Sequence, residues 1–126
     1  MNESAEITIK ELSDMAVGSY LLADVRDEIS FGYGAIPGAV SMPNIVELAK
    51  EGTLAKDKKY ILYCMKGVAS ADAAIELREL DYDAVSLAGG YSAWLMASFG
   101  GDDKQEDIEK SLRKGRFHKA LFSKFA

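Results

Sequence analysis

The sequence predicts an α/β domain with a central parallel five-stranded sheet and helices on both faces. Two observations carry this. Short apolar runs recur along the chain, too brief for helices and bounded by Gly, Pro or charge. Segments of helical spacing lie between them, and strands alternating with helices imply a parallel sheet covered on both sides.

Each element follows in order. A short edge strand is expected over 6–8, then a helix on Ile9, Leu12, Met15 and Ala16. Strands follow over 20–24, which ends on polar residues, and over 39–41. Ile45, Leu48 and Ala49 mark a helix that Gly52 stops. The run 59–64 reads as a strand, aromatic and β-branched in the middle. Ala71, Ala74, Ile75, Leu77, Arg78 and Leu80 form a helix, with Ser70 and Asp72 near its start. A strand over 83–87 and a helix over 91–99 complete the series, and Gly100-Gly101 ends it. Residues 1–101 therefore read as one domain. Residues 102–126 read as an amphipathic basic helix, with Ile108 and Leu112, then Phe117, Leu121 and Phe125, four apart and a kink near Gly115.

The 126 residues suit one domain, with 48% hydrophobic and 28% charged content. A chain of this length buries roughly two-thirds of its unfolded surface and needs no disulfide or metal staple. With a single cysteine no intramolecular disulfide can form, which favours a reducing compartment. The amino terminus has no apolar run of the signal-peptide kind, and no stretch nears the ~20 apolar residues of a membrane span. A cytoplasmic protein without membrane partners is expected. Residues 1–101 hold 8 Lys/Arg against 15 Asp/Glu, whereas 111–126 hold Arg113, Lys114, Arg116, Lys119 and Lys124 and no acid. Such asymmetry marks either a change of role or a solvated helix face.

The chemistry centres on Cys64. It closes a strand, and a helix follows within a few residues, the position where open parallel sheets bind ligands. In Cys64-Met65-Lys66-Gly67-Val68-Ala69-Ser70, the amides at the helix start and the helix dipole favour thiolate, and Lys66 adds a charge. Gly67 lets successive amides face one centre. A buried cysteine that merely packs is the alternative.

Three separated motifs resemble the rhodanese family. They are Leu22-Ala23-Asp24-Val25-Arg26; Gly34-Ala35-Ile36-Pro37-Gly38-Ala39 with Met42-Pro43; and the cysteine loop followed by Leu87-Ala88-Gly89-Gly90-Tyr91-Ser92-Ala93-Trp94. The resemblance covers about residues 5–99 and implies a rhodanese-like fold. It implies a sulfurtransferase in which Cys64 takes sulfane sulfur as a persulfide, cradled by the amides of Met65, Lys66, Gly67, Val68, Ala69 and Ser70, with no metal, histidine or organic cofactor. Asp24, Arg26, Gly89, Gly90 and Trp94 would be structural supports. Many members carry arginine before the loop's last serine, where this chain has Ala69, and histidine at Ala35. Another family loop, Cys-Arg-Lys-Gly-Val-Thr, shares Lys66 but has arginine at Met65. The loop thus keeps one cation, which favours a cysteine desulfurase persulfide over thiosulfate as sulfur donor.

The tail from Asp107 to Ala126 resembles the helix before the nucleotide-binding loop of tRNA 2-thiocytidine-type ATPases. That implies a tRNA-thiolating ATPase, in cis or in trans, as the partner. The alternatives are a docking helix that packs on the domain and, for the whole chain, a non-catalytic rhodanese module for partner binding or regulation. A dual-specificity-type phosphatase would need arginine where Ser70 stands. The glycines Gly32, Gly34 and Gly38 have the wrong spacing for a nucleotide loop, and one histidine, His118, cannot build a metal cluster with one cysteine.

Overall fold

The computed structural model describes residues 5–99. Along the chain these form β1 (Glu6–Ile7), α1 (Ile9–Ser13), β2 (Leu21–Asp24), α2 (Glu28–Tyr33), β3 (Val40–Ser41), α3 (Ile45–Glu51), β4 (Lys59–Tyr63), α4 (Val68–Glu79), β5 (Asp83–Leu87) and α5 (Gly90–Ser98). The five strands form one sheet in the order β1-β5-β4-β2-β3, with every pair parallel. The sheet and its parallel direction are as the alternation of strands and helices predicts. The expected tail helix, 102–126, lies outside the described residues.

The alternation of side chains along β4 divides the core. Tyr60 and Leu62 join Ile45, Ala49, Ala74 and Leu77 of α3 and α4 on one face. Ile61 and Tyr63 join Leu12 of α1 and Tyr91 of α5 on the other, with Trp94 and Leu95 packed against them. Tyr60, Ile61, Leu62 and Tyr63 are each no more than 1% exposed, so β4 is covered on both faces.

Most boundaries agree with the sequence reading to within a residue, and three larger differences have a local reason. α1 ends at Ser13, short of Met15 and Ala16. The Ser13 hydroxyl donates to the Lys10 carbonyl at 2.7 Å, and Gly18 then turns the chain with φ +91°. Thr8 leaves the strand to cap α1, accepting from the Glu11 amide while the Glu11 carboxylate accepts from its own. α4 begins at Val68 behind Gly67, a little before the apolar spacing that marked it, with Ser70 inside its first turn. An additional helix, α2, opens on Asp27, whose carboxylate accepts the Ser30 amide at 2.8 Å. That bond holds the Asp27 carboxyl below its ordinary range.

Candidate active site

β4 delivers Cys64 to the carboxyl edge of the sheet, between β5 and β2. The backbone then turns back within three residues to start α4. Gly67 makes this turn in the left-handed region, φ +94°, and its amide donates to Cys64 Sγ at 3.2 Å. One turn on, the Ser70 amide donates to the same sulfur at 3.3 Å. The Cys64 thiol lies 3.3 Å from Ser70 Oγ. Burial pushes the Cys64 thiol up, but the Ser70 hydroxyl and the amides of Ser70, Gly67 and Lys66 outweigh it, and the thiol ionises below its ordinary value. The amides thus converge on one sulfur with Gly67 and Ser70 as the direct donors. Met65, Lys66, Val68 and Ala69 are exposed around it.

The start of α5 holds the loop from behind. The Tyr91 amide donates to the Cys64 carbonyl at 2.8 Å, and the Ser92 amide to the Met65 carbonyl at 3.0 Å. Two carbonyls of the loop are thereby fixed. The contact is backbone against backbone and requires glycine. A Cβ at Gly90 would collide with the Cys64 carbonyl oxygen and meet Gly67 N at 2.9 Å, and one at Gly67 would meet Gly89 N at 2.9 Å.

Asp24, the last residue of β2, and Arg26 just after it form an internal ion pair. Asp24 is fully buried and Arg26 nearly so, with side chains 0% and 8% exposed. The Asp24 carboxylate accepts Arg26 Nη2 at 2.7 Å, both oxygens accept Nε, and the Arg26 amide donates to it as well. Arg26 also donates to the Gly34 carbonyl and lies over the Tyr91 ring, 4.3 Å from its centre. Tyr91 stacks on Tyr63 and on Trp94, the latter at 5.8 Å and 7°. Every one of these contacts is within the domain. The pair ties the segment after β2 to the helix that holds the cysteine loop.

One further residue meets this site. Ser86 of β5 is fully buried, and its hydroxyl lies 2.7 Å from that of Ser70. A lone serine in the otherwise apolar interior of 83–87 is its only trace in the sequence, and that trace does not point to Ser70. A shallow cavity of about 550 Å³, lined by Val17, Tyr20, Leu22, Pro37, Val40 and Lys59 among others, opens at the amino ends of β2 and β4. It contains none of the residues around Cys64. The site itself is a cradle for a single atom and what is attached to it.

The family model described as a rhodanese-like domain matches residues 8–97. The probable adenylyltransferase/sulfurtransferase MoeZ of Mycobacterium tuberculosis is 36% identical over 97 residues, which are 73% of this chain and 25% of that protein. This chain thus spans about a quarter of that relative's length. The thiosulfate sulfurtransferase GlpE of Shewanella oneidensis is 33% identical over 96 residues, 75% of this chain and 95% of that one. The tRNA sulfurtransferase of Pyrobaculum aerophilum is 39% identical over 74 residues, 59% of this chain and 15% of that protein. Among solved structures, the rhodanese-related protein of Thermoplasma volcanium superposes with a TM-score of 0.62 at 28% identity, over 71% of this chain and 89% of its own. The parallel sheet, the cysteine loop at its carboxyl edge and these matches agree: the chain belongs to the rhodanese-like family.

Proposed function

We propose that this domain is a sulfurtransferase that takes sulfane sulfur onto Cys64 as a persulfide and passes it to a nucleophilic acceptor. The observation that carries this reading is the convergence of the Gly67 and Ser70 amides on Cys64 Sγ. Such donors favour a sulfur anion before any substrate arrives. The thiolate attacks the outer sulfur of a donor persulfide. A new S–S bond forms at Cys64, the donor's own S–S bond breaks, and the donor leaves as thiolate. An acceptor nucleophile then takes the outer sulfur and restores the Cys64 thiolate. The two steps together are redox-neutral and need no cofactor.

The donor we favour is a protein-bound persulfide of the cysteine desulfurase kind. Around the sulfur the loop presents Met65, Val68 and Ala69 to solvent, with Lys66 as its single cation. A doubly charged thiosulfate would be better held by more positive charge. The name of the GlpE relative keeps thiosulfate as the competing donor. For the acceptor we favour a tRNA-thiolating ATPase in a cytoplasmic setting, supported by the resemblance of residues 107–126 and by the tRNA sulfurtransferase relative. No helix among the described residues is long and apolar enough to cross a membrane.

The test is the intact mass of the protein after incubation with thiosulfate, and separately with a cysteine desulfurase and cysteine. A gain of one sulfur atom that cyanide removes, and that Cys64→Ser lacks, is expected, with the desulfurase the better donor. Efficient saturable loading from thiosulfate alone would reverse the choice of donor. No gain from either would replace the enzyme with a partner-binding module.

A further inference from the structure

Ser86 belongs to neither the cysteine loop nor α4, and the chemistry above does not use it. Both it and Ser70 are 0% exposed. Their hydroxyl oxygens are 2.7 Å apart, and Ser70 Oγ lies 3.3 Å from Cys64 Sγ. Ser86 pairs across the sheet with Leu62, two residues before the cysteine. A chain of polar groups therefore runs from β5 through α4 to the sulfur, inside an apolar core.

Each hydroxyl carries one hydrogen and can also accept. The serine pair therefore has two orders. When Ser70 donates to Ser86, Ser70 Oγ turns a lone pair toward the sulfur, which suits the S–H of a thiol. When Ser86 donates to Ser70, the Ser70 hydrogen is free to point at the sulfur, which suits a thiolate. A buried hydroxyl held in one order would oppose one of the two sulfur states, because an unmatched polar group is costly where water is absent.

We infer that Ser86 is a positioning residue that sets the direction of the Ser70 hydroxyl, and that the pair reverses its hydrogen bond as Cys64 passes from thiol to thiolate. The cysteine proton goes to solvent. The serines keep their protons and only turn, so no covalent bond changes between them. This deepens the proposed role of Cys64, but it concerns ionisation of the sulfur, which can be followed without any sulfur donor. Ionisable residues of the loop and of the elements around it include Lys66 in the loop, Asp24 at the end of β2 and Arg26 after it, Tyr63 on β4, Asp72 on α4, Asp83 on β5 and Tyr91 on α5. All are retained in the variants that test the idea.

The experiment is the pH profile of Cys64 alkylation by iodoacetamide in the full chain, in Ser86→Ala, Ser70→Ala and the double variant. Ser86→Ala leaves the Ser70 hydrogen no acceptor but the sulfur, so it is expected to move the profile to lower pH and speed alkylation at neutral pH about threefold to tenfold, part of the worth of a hydrogen bond to a charged group. In the Ser70→Ala background the same change should alter the rate by less than about twofold, because Ser86 acts only through Ser70. A merely structural serine would lower the melting temperature and leave the profile in place. An unmoved profile in Ser86→Ala, or an equal displacement in both backgrounds, overturns the inference. If Ser86→Ala does not fold, Ser86→Thr and Ser86→Val replace it, being alike in shape and different in the hydroxyl. The threonine variant must then keep the native profile and the valine variant lose it; matching profiles overturn the inference. Persulfide loading measured in parallel separates the two ideas. A displaced profile without loading supports Ser86 and removes sulfur transfer, and the reverse result does the opposite.

Discussion

Ala69 faces solvent in the first turn of α4, one residue before the serine that meets the sulfur. Its side chain is too short to contribute charge, and Lys66 is the loop's single cation. Ala69→Arg should therefore improve thiosulfate use, raising the second-order rate of sulfur loading about fivefold to tenfold at low salt. The gain should shrink as ionic strength rises and should be absent with a desulfurase donor. Steady-state loading with both donors checks it. The thiol itself gives a second expectation. With its ionisation held below the ordinary value, Cys64 in the folded chain should reach full alkylation rate at lower pH than in the same chain unfolded in urea. Cys64, Gly67 and Ser70 were legible in the sequence because a strand, a cysteine, a glycine and a helix start occur in a row. Ser86 was not, because its partner lies 16 residues away and only the packing of α4 on β5 joins them. The role assigned to Lys66 also changes in emphasis: the side chain is exposed, while its amide is among the groups that favour the thiolate.

At the scale of elements, the site depends on how closely α5 approaches the loop after β4. Gly90 and Gly52 provide a controlled contrast. Both have positive φ, +57° and +80°, but a Cβ at Gly52 would meet nothing within 4 Å, whereas one at Gly90 would strike the Cys64 carbonyl. Gly52→Ala should lose only the left-handed strain, about 1–2 kcal/mol. Gly90→Ala adds a backbone collision and should lose about 3 kcal/mol or more. It should also weaken the Tyr91 amide bond to Cys64 and slow alkylation at neutral pH, which Gly52→Ala should leave unchanged. Urea unfolding and alkylation kinetics of the two variants decide this. Most elements were legible because apolar runs and helical spacing report burial directly. α2 was not, because it buries no residue and so carries no periodic apolar face. Its trace in the sequence is Asp27, the carboxylate that caps it, a signal hidden among the glycines that follow. The start of α4 was legible to within a few residues: Ser70 lies near it, but Gly67 takes the cap position and leaves the serine free for the sulfur.

At the scale of the molecule, the strand order places Cys64 where the connections part, with β2 leading outward to β3 and β4 leading the other way to β5. The alternation of strands and helices made this arrangement foreseeable; the aromatic and ionic support beneath it was not, because Arg26, Tyr63 and the α5 pair Tyr91 and Trp94 come from three separate segments. That support sets the alkaline limit of the fold. Burial pushes the Tyr63 phenol well above its ordinary value, and hydrogen bonding with Asp24 adds to this. Tyr91 and Tyr60 are raised as well, chiefly by burial. A group whose folded pKa is raised contributes stability that is complete below its unfolded value, about pH 10 for tyrosine, and is lost as pH climbs toward the folded value. Cys64 has the opposite sign: its folded value is lowered, so its contribution grows as pH rises through the folded value and is complete above the unfolded one. Stability should therefore hold to about pH 10 and then fall, by about 1.4 kcal/mol per pH unit for each tyrosine that stays protonated in the fold. Tyr63→Phe isolates one of them. At neutral pH it removes the hydroxyl that accepts the Ile36 amide at 3.1 Å, and should be less stable than the native chain by about 1–2 kcal/mol. Above about pH 10 the native chain alone has a Tyr63 phenol to ionise on unfolding, so the two stabilities should converge by about 1.4 kcal/mol per pH unit. Denaturant titrations of both proteins at neutral pH and at pH values above the tyrosine range would show the gap closing. A gap that stays constant would mean that the Tyr63 phenol ionises as readily in the fold as in the unfolded chain, and that Asp24 and burial do not hold its proton.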